Sequence, residues 1–260
     1  MDLVHGLSGL LVGTLVGMTG VGGGSLMAPL LILLLGVSPA TAVGTDLWFA
    51  ATTKIFGGVV HQSVGDPDWQ VVKRLALGSI PASIITSLLL AHFASGQIKQ
   101  GLIITALGAI LLVTAGAMFA WNRVQRLVLR LEPRQAAACR RQQPVLTVLA
   151  GALLGVMVTL TSIGAGALGA VMLMAFYPLR MTGSRLVGTD IVHAIPLTIV
   201  AGMGHLIMGN VDFALLGSLL VGSIPGIIIG SLLATRMPPV LLRTILAVVL
   251  ALTGFKMMFG

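Results

Sequence analysis

Apolar stretches of roughly 17 to 25 residues, the length that a hydrocarbon core of about 30 Å demands of a helix, recur along the whole chain. In lipid every backbone polar group must be satisfied internally, and a helix does this within a single segment. An all-α integral membrane protein is therefore expected. Only 8% of the 260 residues are charged, against about a quarter in a soluble domain, so almost no chain is left over for one. The net charge of +8 would point to nucleic acid in a soluble protein. Here six of the fifteen Lys and Arg residues fall between Arg123 and Arg141, and basic residues gathered in one segment mark a cytoplasmic face rather than a nucleic-acid partner.

Displacing the sequence by 144 residues lays one half over the other. Val43-Gly44-Thr45-Asp46 falls on Val187-Gly188-Thr189-Asp190, His61 on His205, Gly65 on Gly209, Asp68 on Asp212, and Gly78-Ser79-Ile80-Pro81 on Gly222-Ser223-Ile224-Pro225. From 43 to 89 there are 20 identities in 47 positions. Apolar bias does not place Asp, His, Gly and Pro in register, so the sequence reads as a duplication. Residues 1–118 form the first repeat, 119–143 a basic cytoplasmic linker, and 144–260 the second repeat. Each half opens with a long apolar segment interrupted by glycines, about 3 to 36 and 144 to 178. Three uninterrupted segments follow, near 39–61, 71–92 and 98–118 in the first half and 183–206, 213–235 and 239–258 in the second. The opening segment lacks a basic leader and a small-residue cleavage pattern, so it is expected to belong to the fold. The single cysteine, Cys139, allows no disulfide and no cysteine metal site within one chain.

A straight helix from Leu3 to Gly36 would measure roughly 50 Å, too long for one ordinary crossing. The break at Gly20-Val21-Gly22-Gly23-Gly24 therefore makes either a bent single span or a re-entrant hairpin. With the linker in the cytoplasm, single spans would place nine Lys and Arg inside and five outside; hairpins would place twelve inside and two outside, with Lys54 intramembrane either way. The positive-inside rule favours hairpins. A hairpin plus three spans is an odd number of crossings, so the two halves are expected in inverted topology, as in many secondary transporters.

Four ionisable residues lie well inside apolar segments: Asp46, Lys54, Asp190 and His193. A charge at such depth costs about 2.5 to 3.5 kcal/mol, so each is a functional candidate by default. The plainer alternative is that the aspartates pair internally or cap helix ends. Asp190 and His193 are three apart and share a helix face; with Asp46 they are candidates for coupling or a proton relay. Lys54 lies about 80° off the face of Asp46 on a helix of 3.6 residues per turn, so its charge partner is sought in the other half, where Thr198 holds the equivalent place. As a fixed cation in a low-dielectric site, Lys54 is the foremost candidate to contact an anion. The breaks supply the rest of the candidate substrate site: Gly20, Gly22, Gly23, Gly24 and Ser25 in the first half, Gly164 and Gly166 in the second, with Thr45 and Thr189 at the entry to the following helices. Glycines let the backbone unwind, and the helix N-terminus after each break is a ready anion site. Tight helix packing would also favour glycine. His61 and His205 read more simply as structural turns and interfacial anchors.

The break followed by Pro29, the Val43-Gly44-Thr45 entry, the turn at Asp68-Trp69 and Gly78-Ser79-Ile80-Pro81, in their duplicated order, resemble the sulfite exporter TauE/SafE family, also called toluene sulfonate uptake permeases, over nearly the whole chain. The resemblance implies a multi-pass transporter of the bacterial inner membrane that handles sulfite, sulfonates or other small organosulfur anions. Asp46 and Asp190 depart from the common pattern, in which a hydroxyl or small residue often follows Gly-Thr. Two carboxylates near an anion site must be neutralised, protonated or paired with a cation.

A secondary transporter for a small sulfur oxyanion, driven by a gradient and needing no cofactor, is the leading expectation. The chain has no glycine-rich loop ending in Gly-Lys-Ser/Thr for ATP hydrolysis. Its expected partners are the anionic substrate and the lipid bilayer, with homo-oligomerisation left open. One alternative is a divalent-metal carrier using Asp46, Asp190, His193 and His205. Another is an intramembrane enzyme with Ser25 as nucleophile.

Overall fold

The computed structural model of the chain describes residues 3–19, 27–60, 66–93, 96–129, 133–164, 166–177, 180–181, 183–234 and 239–259. Its elements are helices α1 (Leu3–Thr19), α2 (Met27–Leu35), α3 (Pro39–Val60), α4 (Trp69–Phe93), α5 (Gly96–Leu129), α6 (Pro133–Thr161), α7 (Ala167–Phe176), α8 (Gly183–Ile207), α9 (Phe213–Ala234) and α10 (Pro239–Phe259). No strand occurs among the described residues. Pro39, Pro133 and Pro239 each open a helix, where a fixed φ helps and the missing N–H costs nothing. The expected segments are all present as helices. Much of the stretch 119–143 is helical as well, because α5 runs on to Leu129 and α6 starts at Pro133.

Among the described residues five helices are long and apolar enough to cross a membrane, over Trp69–His92, Gln100–Trp121, Gln142–Thr161, Arg185–Ile207 and Phe213–Gly230. Their outer surfaces are apolar: Leu77, Leu88, Val145 and Ile207 are each more than 60% exposed. Leaving such a side chain in water forfeits about 1.5 to 3 kcal/mol, so this surface is one for lipid.

Lipid gives helices no hydrophobic reason to associate, and small residues let backbones approach instead. α1 lies along α9, and α6 lies along α4. A Cβ at Gly9 or Gly13 would strike the carbonyl of Leu219 or Ser223, and one at Gly222 that of Gly6. The same happens at Gly151 and Gly155 against Leu75 and Ser79, and at Gly78 against Val148. Contacts advance in the same direction on both members, so each pair runs parallel. α5 and α10 meet at Gly108 and Gly254. α3 and α8 pack together at the centre, where the Trp48 indole N–H donates to the Gly202 carbonyl (3.2 Å).

Two backbone contacts fix how these central helices run. The Asp68 N–H donates to Thr189 Oγ1 (2.9 Å), and the Asp212 N–H donates to Thr45 Oγ1 (3.1 Å). The start of α8 therefore lies beside the start of α4, and the start of α3 beside the start of α9. Because α4 follows α3 and α9 follows α8, α3 and α8 are antiparallel. Asp68 and Asp212 are also N-caps, accepting from the Val71 and Leu215 N–H groups.

Candidate functional site

The four intramembrane ionisable residues come together where α3 and α8 pack. Asp46 is fully buried, His193 is 1% exposed, and Lys54 and Asp190 are 6% exposed. Lys54 stands within electrostatic reach of Asp190 in the other half of the chain and of Asp46 on its own helix. His193 is also within its reach. The His193 Nε2 is 2.9 Å from Ser79 Oγ on α4, while its Nδ1 has no hydrogen-bond partner.

The second break is formed by three residues in the left-handed region: Ser162 (φ 61°), Gly164 (φ 124°) and Gly166 (φ 147°). Gly164 and Gly166 meet this demand without a Cβ penalty. Ser162 does not, and holding a non-glycine residue there costs about 1 to 3 kcal/mol that the surrounding packing must offset. Thr161 Oγ1 accepts from the Ile163 N–H (3.1 Å), and α7 begins as the Gly169 and Ala170 N–H groups donate to the Gly164 and Gly166 carbonyls. The Asp46 carboxylate lies beside the Ser162 hydroxyl and the backbone of Ala28 in the first turn of α2. Neither of its oxygens, nor Ser162 Oγ, has a partner at hydrogen-bonding geometry. Asp190 faces the first turn of α7, where a Cβ on Gly169 would strike its Oδ1. The two half-helix N-termini, expected as open anion sites, are thus each faced by a carboxylate of the chain itself.

Gly20, Gly22, Gly23, Gly24 and Ser25 lie outside the described residues, as does His61. Thr45 and Thr189, expected among the substrate ligands, have their hydroxyls committed to the Asp212 and Asp68 N–H groups at opposite ends of the bundle. His205, expected as an interfacial anchor, is fully buried with its Nε2 2.9 Å from the Thr159 carbonyl. Packing of the end of α8 beneath the α4–α6 pair takes it out of the interface. One participant, Ser79, was not anticipated, although it stood inside a duplicated motif; Ser162 was legible in the sequence as a hydroxyl donor beside the glycines of the second break.

A second polar group closes the end of the bundle at the start of α4. Asp68, 2% exposed, takes the Arg180 guanidinium on both oxygens, with Arg185 at 3.6 Å. Tyr177 Oη meets Thr147 Oγ1 at 2.7 Å and accepts from Arg74 at 3.3 Å. Among the described residues no three His, Cys, Asp or Glu side chains converge as a metal site would require.

Across residues 6–257 the sequence matches the family model described as "Sulfite exporter TauE/SafE". The chain belongs to the TauE/SafE family. It is a multi-pass membrane transporter, and its relatives carry the same description of transport. The probable membrane transporter protein YjnA of Bacillus subtilis is 41% identical over 211 residues, covering 80% of this chain and 81% of its own. A second probable membrane transporter of Bacillus subtilis, YdhB, is 28% identical over 210 residues, covering 79% of each chain. A probable membrane transporter of the archaeon Methanocaldococcus jannaschii is 25% identical over 213 residues, covering 78% of this TauE/SafE chain and 72% of its own. No solved structure matches.

Proposed function

We propose that this TauE/SafE protein is a secondary transporter of the bacterial inner membrane for a small sulfur-containing anion such as sulfite or a sulfonate. The observation that carries the reading is a buried ammonium, Lys54, set between two carboxylates where the central helices cross. An anion arriving at Lys54 must compete with Asp190 for it. A proton taken by Asp190 releases Lys54 to the anion, and His193, held by Ser79, stands within one helical turn to deliver or receive that proton. In this reading the backbone at Gly164 and Gly166 lines the anion's path, and Gly20, Gly22, Gly23, Gly24 and Ser25 remain the candidates that the sequence offers in the first half. Thr45 and Thr189 hold the bundle ends rather than the substrate.

The two halves are read as inverted copies. In support, Gly78 meets Val148 as Gly222 meets Gly6, and Leu75 and Ser79 meet Gly151 and Gly155 as Leu219 and Ser223 meet Gly9 and Gly13. The offset is 144 residues in α4 and α9 but 142 in α1 and α6, so the second half holds two residues more between α6 and α8 than the first holds between α1 and α3. The reciprocal threonine contacts and the antiparallel α3 and α8 follow from the same relation.

Uptake of labelled sulfite into liposomes containing the purified protein tests the function. Lys54→Ala is expected to bring flux to the protein-free background, and Lys54→Arg to retain part of it. Undiminished sulfite flux in Lys54→Ala would overturn the reading.

A further inference from the structure

We propose that the Asp46 carboxylate, the Ser162 hydroxyl and backbone carbonyls at the C-terminal end of α6 form a site for a monovalent metal cation, with sodium as the ion to test. Asp46 is fully buried and both of its oxygens lack a hydrogen-bond partner. The Ser162 hydroxyl is directed at the same carboxylate from a backbone held at φ 61°, is 3% exposed and is likewise without a partner. The two groups lie side by side without a well-formed hydrogen bond between them, and a cation bound between them would take lone pairs from both. The break between α6 and α7 adds the C-terminal end of a helix, which carries the negative end of its dipole and ligates ions in other broken membrane helices. The Val158 carbonyl is taken by the Ser162 N–H and that of Thr159 by His205, so the carbonyls proposed for the ion are those of Leu160 and Thr161.

Charge balance between the halves favours a cation here. Lys54 is a tethered monovalent cation whose first partner is Asp190. Asp46 holds the matching place in the other half, but the residue matching Lys54 is Thr198, whose hydroxyl is turned back to the Ala194 carbonyl (2.9 Å). One carboxylate is thus served by a built-in ammonium, and its counterpart is not served equally. Asp46 and Ser162 supply a single formal negative charge, which suits a monovalent ion, and the lack of three converging His, Cys, Asp or Glu side chains among the described residues argues against a divalent one. The comparison of Lys54 with Thr198 rests on the repeat reading; the orphaned oxygens do not.

The test uses thermal unfolding of the purified full-length protein in detergent, in sodium chloride against choline chloride at equal ionic strength over a range of pH. Sodium at roughly a hundredfold above its dissociation constant is expected to raise the midpoint by about 5 to 10 °C, saturably. Asp46→Asn and Ser162→Ala are expected to lose most of that shift. Thr198→Lys, which places an ammonium where the ion would sit, is expected to be insensitive to sodium; should it fail to fold, the other two variants decide. Equal midpoints in sodium and choline, a sodium response that survives in Asp46→Asn, or stabilisation by low pH alone would overturn the proposal. Because no flux is measured, a protein that binds sodium but fails to carry sulfite would refute the transport reading and leave this site standing.

Discussion

Asp68 and Asp212 occupy matching places and do the same local work, each capping a helix with its carboxylate while its backbone N–H reaches a threonine of the other half. Their surroundings differ, since Asp68 is buried against Arg180 and Arg185 whereas Asp212 is exposed. Replacing an aspartate cap by alanine costs about 1 kcal/mol. Asp212→Ala should show that loss alone, while Asp68→Ala should add up to about 1 kcal/mol from an ion pair whose arginine is 41% exposed. Thermal unfolding in detergent checks this: Asp68→Ala should melt lower, and the difference between the two variants should shrink in high salt. Equal losses at all salt concentrations would show that Arg180 adds nothing. At this scale the sequence was legible where burial itself is costly. Asp46, Lys54, Asp190 and His193 stood out because charge inside an apolar run is expensive. Partners were not legible: a threonine next to a site and a threonine tying two loops together are the same letters, and only the fold sends Thr45 to Asp212.

Glycines act at the scale of elements, and two classes of them look alike in the sequence. Gly78 and Gly151 sit where α4 and α6 nearly touch, so an added methyl group meets backbone, while Gly217 on α9 has open space around it. Backbone cannot yield as a flexible side chain can. Gly78→Ala or Gly151→Ala should therefore prevent recovery of folded protein or lower its melting midpoint markedly, whereas Gly217→Ala should be neutral or slightly stabilising through helix propensity. Size-exclusion profiles and melting curves of the three variants make the comparison; tolerance of all three would contradict the close crossing. The helices themselves were legible to within a few residues, because apolar runs bounded by proline, glycine and charge leave little choice. The continuation of α5 to Leu129 and the start of α6 at Pro133 were not, since arginine-rich sequence serves equally well as a loop or as the exposed end of a helix.

For the whole molecule, the sequence argument for the proposed architecture rests on duplication and charge. The 144-residue displacement related the halves, and the count of Lys and Arg favoured hairpins over bent spans. Helix pairing, by contrast, depends on which glycines meet, and the two-residue offset in α1 and α6 became visible only through those contacts. In the proposed inverted arrangement the antiparallel α3 and α8 set Lys54 of one half near Asp190 of the other. Inversion also makes a single sharp demand on topology. With reporters fused within residues 130–132 and after Gly260, each read in intact cells, the inverted arrangement predicts the first in the cytoplasm and the second outside it; both on the cytoplasmic side would contradict it.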